Sequence, residues 1–313
     1  MPDHTPVDQL DLDIDVLLAG GGATGLTELA RVAAQLLDLP DENFKQRLKS
    51  DLERRTNMPA ATPSTATHIR EGFRTVTPYI TVAEADKFID FLKQTFDAVE
   101  VARHPHGPGG FHAEVRMGNS MLMIRPARPG YAEAPAILHV YVSDCDAICA
   151  RALAAGAASV SEPADRPYGE RSGTVKDSFG NIFYVATRFA SAPAPEGYSD
   201  ILPYLHPRKA RPYIEFLRQA FGAEELAVYE QDGRVMHAAV RIGDSVVEMG
   251  EPGDAAIPTG SFFMYVENAD AVYERAIAAG ATSLLPPTNE PAGHRGAALR
   301  DPSGYTWYAA TLL

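Results

Sequence analysis

The sequence has few of the features that mark exported, membrane-bound or nucleic-acid-binding proteins. Only two of its 313 residues are cysteines, too few for the disulfide framework of a small secreted domain. No run reaches the roughly 20 apolar residues of a membrane span, and the N-terminus lacks a secretory signal pattern. The formal net charge of -13 argues against nucleic-acid or anionic-membrane partners. We therefore expect a soluble, cytoplasmic protein.

A glycine motif near the N-terminus raises the question of a nucleotide cofactor. Gly20, Gly22 and Gly25 have the G-x-G-x-x-G spacing of a dinucleotide-binding loop, which also requires a second parallel strand after its helix. The following residues instead predict another helix, in which Phe44 and Leu48 recur at a spacing of four. We interpret residues 1–58 as an N-terminal helical segment without a nucleotide, and as a candidate docking module for a protein partner.

Internal duplication is the strongest pattern in the chain. Pro78 in VTPYITVAEADKFIDFLKQTF matches Pro203 in ILPYLHPRKARPYIEFLRQAF, an offset of 125 residues. Later in each copy, Arg151 of RALAAGA matches Arg275 of RAIAAGA, an offset of 124 residues. Stretches rich in Ala, Pro, Ser and Gly flank the copies and predict linkers. The expected boundaries are linker 59–72, first domain 73–188, linker 189–200 and second domain 201–313.

Each copy contains the pattern strand, helix and three strands twice, which predicts an α+β fold. Three motifs recur in register in both copies: aromatic-Leu-x-x-x-Phe, the Ala-rich helix end, and D-x-x-G-N/Y-x-x-Y before the last strand. This series resembles the vicinal oxygen chelate superfamily, and it is most similar to glyoxalase and bleomycin-resistance-like members. The resemblance implies two tandem glyoxalase-like domains, each of paired βαβββ units with a sheet curved around a cleft.

The resemblance also implies positions for a divalent metal, because enzymes of this superfamily hold one with side chains from the first and last strands of each unit. The matching positions are Thr77 or Pro78, Met123, Ile137 and Tyr184 in the first copy, and Leu202 or Pro203, Glu248, Ser261 and Tyr308 in the second. Of these, Glu248 alone has suitable ligand chemistry. If the register of a strand is shifted, the only nearby histidines that become candidate ligands are His139 and His206, and these fall in different copies. We therefore predict no cofactor and no catalytic metal, with Glu248 as the ligand if one binds.

Strand alternation predicts which side chains line the cleft in the first copy. In FHAEVRM, the apolar residues alternate with His112 and Glu114, so these two polar side chains are expected to face the cleft. In the next strand, the same rule turns Met121 and Met123 toward it. A cleft lined by Met, Ile and Tyr suits an apolar or aromatic ligand.

The second copy keeps more polar chemistry at the equivalent positions. His237 and Glu248 are expected to face its cleft, where they form an acid–base pair if they lie within hydrogen-bond reach. The alternative is that both His112 and His237 are strand-face residues hydrogen-bonded to neighbouring backbone. In the closing strands of the two copies, Tyr184 and Tyr308 are expected to face the clefts as ligand-binding residues.

Two arginines precede the closing strands. The resemblance places Arg171 and Arg295 at the cleft rims, where they are expected to meet an acidic group of a ligand. The competing interpretation is that Arg171 pairs with Glu170 or Asp177 and holds its loop.

These observations favour a metal-free small-molecule-binding protein, similar to bleomycin-resistance-type proteins that sequester a ligand. The alternative is an enzyme of the same superfamily, a lyase, isomerase or dioxygenase, that uses Glu248 as metal ligand or general base. A third interpretation is an interaction scaffold that docks through residues 1–58. The ligand, the presence of turnover, the oligomeric state and the packing of the two domains against each other stay open at this stage.

Overall fold

A computed structural model describes residues 68–106, 110–189, 197–252, 260–290 and 293–313. The N-terminal helical segment and its glycine motif lie outside these residues, as does much of both linkers. The first copy contains strands β1 (Val76–Val82), β2 (Val99–Pro105), β3 (Phe111–Met117), β4 (Ser120–Pro126), β5 (Ile137–Tyr141), β6 (Ala158–Arg166), β7 (Glu170–Lys176) and β8 (Ile182–Arg188), with helices α1 (Ala85–Phe96) and α2 (Cys145–Ala154). The second copy contains strands β9 (Ile201–Leu205), β10 (Glu224–Gln231), β11 (Arg234–Ile242), β12 (Ser245–Met249), β13 (Ser261–Tyr265), β14 (Thr282–Glu290), β15 (His294–Arg300) and β16 (Thr306–Leu312), with helices α3 (Ala210–Phe221) and α4 (Ala269–Ala278).

The strands form two eight-stranded sheets, and each sheet combines strands from both copies. The orders are β14-β15-β16-β13-β1-β4-β3-β2 and β10-β11-β12-β9-β5-β8-β7-β6. The copies join where β1 pairs antiparallel with β13 and β5 pairs antiparallel with β9. This differs from our expectation that each copy builds its own cleft. The sequence repeat identifies the strands within each βαβββ unit. It does not show which unit's edge strand pairs with which, because this pairing is made by backbone hydrogen bonds.

The hydrophobic cores, unlike the sheets, stay almost entirely within a copy. Helix α1 has apolar residues at helical spacing, and its Phe88 and Leu92 pack with Leu122 and Phe183 in the first core. All four side chains are fully buried, and each contributes about 2 kcal/mol of hydrophobic stabilisation. The second core is built around Trp307 in the same way. Among the described helices, none is long and apolar enough to cross a membrane.

A glycine repeated in both copies permits a close contact between them. Gly118, in the β3–β4 turn, has φ 58°, and a Cβ there would overlap the Asp200 carboxylate. That carboxylate accepts a hydrogen bond from the backbone N–H of Asn119 at 2.8 Å. Gly243 has the same φ and lies equally close to Thr75. Because an L side chain is strained at this φ, glycine allows each copy to dock its turn on the other.

The repeated D-x-x-G motif forms the turn before each closing strand. Asp177 accepts hydrogen bonds at Oδ1 from the backbone N–H groups of Phe179 and Asn181, at 2.9 and 2.8 Å. Gly180 supplies the positive φ that the turn requires. Asp301 makes equivalent bonds in the second copy. The motif therefore fixes the start of β8 and β16, whose side chains reach the clefts described below.

Candidate functional site

Each sheet has one face covered by helices and an opposite face that carries the candidate site residues. We call the opposite face of the β1-containing sheet the aromatic cleft; its central side chains, paired in register, are Tyr79, Met123, Phe263 and Tyr308. We call the opposite face of the β5-containing sheet the acidic cleft; its central side chains are Tyr204, Glu248, His139 and Tyr184. The two sets are repeat equivalents of each other. Both clefts have two tyrosines at their centre. They differ at the other two positions, where Met123 and Phe263 of the aromatic cleft correspond to Glu248 and His139 of the acidic cleft.

The central strands place these residues two positions beyond those expected from the sequence. Tyr79, rather than Thr77, pairs with Met123, and His139, rather than Ile137, pairs with Tyr184. The same displacement separates Ser261 from Phe263 and Leu202 from Tyr204. Residues two apart on a strand share a face, so Thr77 and Leu202 lie on the face of Tyr79 and Tyr204, whereas the alternatives Pro78 and Pro203 lie on the opposite face.

His139 and Glu248 form a buried pair across the two copies. The His139 Nδ1 atom lies 2.6 Å from Glu248 Oε2, and the two residues are only 8% and 2% exposed. An ionised carboxylate only accepts, so Nδ1 is the donor of this hydrogen bond. Among the described residues, Nε2 has no hydrogen-bond partner; Glu170 Oε1 lies 3.7 Å away. Burial alone would raise the pKa of Glu248, but the charge and hydrogen bond of His139 hold that pKa below its usual value.

His237 does not form the acid–base pair that the sequence suggested. Its Nε2 atom lies 3.9 Å from Glu248 Oε1, which is beyond hydrogen-bond reach. The register of β11 on β12 sets Ala239, rather than His237, opposite Glu248. The partner is His139 instead, and the shared sheet explains why: residues from different copies face the same cleft.

Tyr184 closes one side of the acidic cleft through an oriented hydrogen bond. The His206 Nδ1 atom donates to the carbonyl oxygen of Gly250 at 2.9 Å, which leaves His206 Nε2 to accept from the Tyr184 hydroxyl at 2.8 Å. Tyr204 packs against Tyr184 with ring centroids 4.9 Å apart. Burial and the charge of Glu248 both raise the pKa of Tyr204, so its hydroxyl stays protonated at neutral pH.

The aromatic cleft is lined by rings and thioethers. Tyr79, Met121, Met123 and Tyr265 belong to one buried cluster, with Phe263 and Tyr308 half-buried against it. The Tyr79 and Tyr308 rings meet edge to face at 5.4 Å between centroids, an arrangement that aromatic pairs favour. Met121 and Met123 lie here as expected, whereas Tyr184 lies in the acidic cleft and its repeat equivalent Tyr308 takes the matching place here.

Two polar residues expected in this cleft already have partners. Arg70 donates to Glu114 through both terminal nitrogens, with Nη2 at 3.0 Å from Oε2. The buried Glu114 carboxylate is therefore paired with a guanidinium group. The His112 Nδ1 atom lies 3.2 Å from the Tyr79 hydroxyl. Glu114 therefore positions Arg70, while His112 orients the ring at the centre of the cleft.

Burial of His112 predicts a pH dependence of stability. Burial and then the neighbouring cations His104, Arg125 and Arg70 lower the pKa of His112 to about 4, against about 6.5 in an unfolded chain. Between these values the unfolded state binds more protons, so stability falls as the pH falls. Between pH 7 and pH 4, we expect the free energy of unfolding to fall by about 2 kcal/mol less in His112→Gln than in the unaltered chain, measured by urea unfolding. Parallel pH profiles for the variant and the original chain would contradict this.

Arg171 and Arg295 do not lie at the cleft rims, so this expectation was wrong. Arg171 Nη2 donates to Asp146 at 2.7 Å, and Arg295 Nη2 donates to Asp270 at 2.7 Å. Both acids lie in the first turn of a helix, on the covered face of the sheet. Alternation along β7 turns Glu170 toward the acidic cleft and Arg171 toward the helices, so Arg171 does not pair with Glu170 either.

Arg125 was missed and His139 was considered only for a shifted register, although a sequence signal for each existed. In ILHVY, Leu138 and Val140 belong to the core, so alternation turns His139 to the cleft face. In SMLMIRP, the alternation that places Met121 and Met123 in the cleft continues to Arg125. Arg125 could have been found by extending the face assignment to the end of β4, and His139 by applying the same alternation to β5.

The comparison with protein families agrees with this geometry. The model of the Glyoxalase/Bleomycin resistance protein/Dioxygenase superfamily matches residues 68–185 and 209–308. The chain belongs to this superfamily. An uncharacterized protein of Mycobacterium bovis is 35% identical over 119 residues, which cover 34% of this chain and 78% of that protein. An uncharacterized protein of Mycobacterium tuberculosis has the same identity over 119 residues, with 69% of it covered.

Solved structures share the fold of this superfamily member. Glyoxalase I from Zea mays superposes with a TM-score of 0.61 at 15% identity, covering 76% of this chain and 92% of that one. A putative dioxygenase from Bacillus subtilis superposes with a TM-score of 0.51 at 16% identity, covering 76% and 86%. At such low identity, the likeness extends to the fold alone.

The central residues of neither cleft fit the metal site of the superfamily's enzymes. The aromatic cleft offers rings and a thioether, without a His or carboxylate at its four central positions. The acidic cleft offers His139 and Glu248, but these are hydrogen-bonded to each other instead of converging on a shared point. Within the described ranges, no group of three His, Cys, Asp or Glu side chains is arranged to hold an ion, whereas selective sites need three or four ligands.

Proposed function

We propose that this superfamily member binds a small aromatic molecule in the aromatic cleft, without a metal ion. The observation that carries the proposal is the set of four central side chains, Tyr79, Met123, Phe263 and Tyr308, in which three aromatic rings surround a buried thioether. These groups bind flat apolar ligands through dispersion and edge-to-face contacts, and a methionine adapts to an irregular outline. Phe263 and Tyr308 are half-buried, so they retain surface that a ligand can cover.

A matched pair of tyrosine variants tests the site. Tyr308 and Tyr184 are repeat equivalents in the aromatic and acidic clefts. We expect a ligand found by screening aromatic compounds to raise the melting temperature by about 5 °C when its concentration is about 100 times Kd. Tyr308→Ala should abolish this shift and Tyr184→Ala should retain it, each relative to its own ligand-free melting temperature. Loss of the shift only in Tyr184→Ala would contradict the proposal.

The proposal also predicts the metal content of the protein. After purification without chelator, we expect fewer than about 0.1 equivalents of any transition metal by elemental analysis, because neither cleft brings enough ligands together. About one equivalent of Fe, Mn, Ni or Zn per chain would contradict a metal-free site.

An enzymatic function is the second candidate, and the unpartnered His139 Nε2 atom favours it. Glu248 holds the ring through Nδ1 and leaves the buried Nε2 atom without a partner among the described residues, the arrangement of a general base held by a carboxylate. In such a reaction, Nε2 takes a proton from a bound substrate and Glu248 stabilises the resulting imidazolium. Turnover of a carbon acid that is lost in His139→Asn and retained in His237→Asn would select this function. Turnover unaffected by His139→Asn would reject it.

A further inference from the structure

A buried arginine lies in the aromatic cleft without a carboxylate partner. Arg125, at the end of β4, is only 8% exposed. Its Nε atom donates to Thr81 Oγ1 at 2.9 Å and its Nη2 atom to the Tyr308 hydroxyl at 2.7 Å. Among the described residues, no carboxylate oxygen lies within 4 Å of its guanidinium, and its Nη1 group has no acceptor. Buried guanidinium groups are ordinarily paired with an acid, because burial of a charge is costly.

Three aromatic rings hold this guanidinium in place. Its central carbon lies 4.2 Å from the ring centroid of Tyr131, 4.5 Å from Tyr79 and 5.3 Å from Tyr308. Cation–π contacts of this kind stabilise a desolvated cation without neutralising it. Tyr79 and Tyr308 are also central residues of the proposed ligand site. The positive charge is therefore fixed beside the surface that the ligand would cover.

The two clefts differ in the charged group buried beside their central tyrosines, which is Arg125 in the aromatic cleft and Glu248 in the acidic cleft. Besides burial, Arg125 and Arg70 help to lower the pKa of His112, as expected in a positive environment. In the acidic cleft, burial and the Glu248 charge raise the pKa of Tyr198, as expected in a negative one. The repeat equivalent of Arg125 is Gly250, so the acidic cleft lacks this cation at the matching position.

We propose that Arg125 selects the ligand of the aromatic cleft, and that this ligand is a planar aromatic molecule with a carboxylate or similar anionic group. The inference rests on the proposed function and adds the charge of the ligand to it. Arg125 has one terminal nitrogen free of described acceptors, which can donate to an anionic oxygen while the rings contact the planar part. The hydrogen bonds to Thr81 and Tyr308 keep the guanidinium oriented, so little rotational freedom is lost on binding.

Three naphthalene compounds of matched shape test the proposal: 2-naphthoate, neutral 2-naphthamide and cationic 2-naphthylmethylamine. By isothermal titration calorimetry, we expect 2-naphthoate to bind at least about 10-fold more tightly than 2-naphthamide, since the guanidinium pairs with an anionic oxygen in the first and with an uncharged carbonyl oxygen in the second. The amine should bind more weakly still. This comparison uses the unaltered chain, so it does not depend on the folding of a variant.

A matched pair of arginine variants assigns the preference to one cleft. Arg125→Met should abolish the preference for 2-naphthoate over 2-naphthamide. Arg188→Met is the control, because Arg188 also stacks on tyrosines, at 3.5 Å from Tyr141 and 4.9 Å from Tyr198, but in the acidic cleft. It should leave the preference unchanged.

The remaining outcomes separate this inference from the function on which it rests. Equal binding of 2-naphthoate and 2-naphthamide, or a preference that survives Arg125→Met, would overturn the inference and leave aromatic binding intact. No binding of any of the three compounds at about 1 mM would count against both.

Discussion

Replacement of Glu248 by alanine is expected to lower the free energy of unfolding by about 3 to 5 kcal/mol. The carboxylate is 2% exposed and bonded to His139 at 2.6 Å, so its removal leaves a buried imidazole N–H without an acceptor. Removing one partner of a buried pair is costly for this reason, even where the intact pair adds little net stability. The loss would be measured by urea or guanidinium unfolding at neutral pH.

A double-mutant cycle separates this pair from general packing effects. We expect a coupling energy of about 2 kcal/mol between Glu248→Ala and His139→Ala, because the double variant no longer contains an unpaired partner. His237 provides the control, since its ring lies on the other side of the same carboxylate at 3.9 Å. Its coupling to Glu248 should stay near about 0.5 kcal/mol. Equal coupling of the two histidines to Glu248 would contradict the assignment of His139 as the partner.

Replacement of Asp301 by alanine should have an effect of similar size, a loss of about 4 kcal/mol in the free energy of unfolding. Asp301 Oδ1 accepts from the backbone N–H groups of Ser303 and Tyr305. Its Oδ2 atom accepts from the Trp307 indole at 2.8 Å and the Tyr213 hydroxyl at 2.7 Å. Alanine would leave these buried donors unpaired within the second core.

The equivalent aspartate of the first copy is a matched control for this prediction. Asp177 makes the same turn, but its Oδ2 atom accepts from the Asn181 side chain instead of core aromatic residues. Asp177→Ala should therefore cost about 2 kcal/mol less than Asp301→Ala in the same unfolding measurement. Equal losses would show that the turn, and not the aromatic donors, accounts for the effect.

Local patterns were sufficient to predict which face of β3 packs in the core. The alternation in FHAEVRM placed Ala113 and Val115 in the core, and the structure has both side chains fully buried there. The repeated motifs indicated the superfamily, which the family comparison confirms. These features depend on residues close together in the chain, where period and spacing carry the information.

Contacts between the copies could not be predicted in this way. The pairing of β1 with β13 and of β5 with β9 joins edges far apart in sequence, and no local pattern specifies it. As a result, His139 was considered only for a shifted register, together with His206 of the other copy, and its pairing with Glu248 was not predicted. For Arg171, the alternation of faces along β7 was not considered. Adjacent residues of a strand point to opposite faces of the sheet, so the side chains of Arg171 and Glu170 lie on different faces.

A crystal structure of the chain with 2-naphthoate would test most directly whether the aromatic cleft is a metal-free ligand site built by both copies. The account predicts the naphthalene ring among Tyr79, Phe263 and Tyr308, with the carboxylate at the Arg125 guanidinium. A metal ion held by three or more side chains in either cleft, or naphthoate bound outside the aromatic cleft, would contradict it.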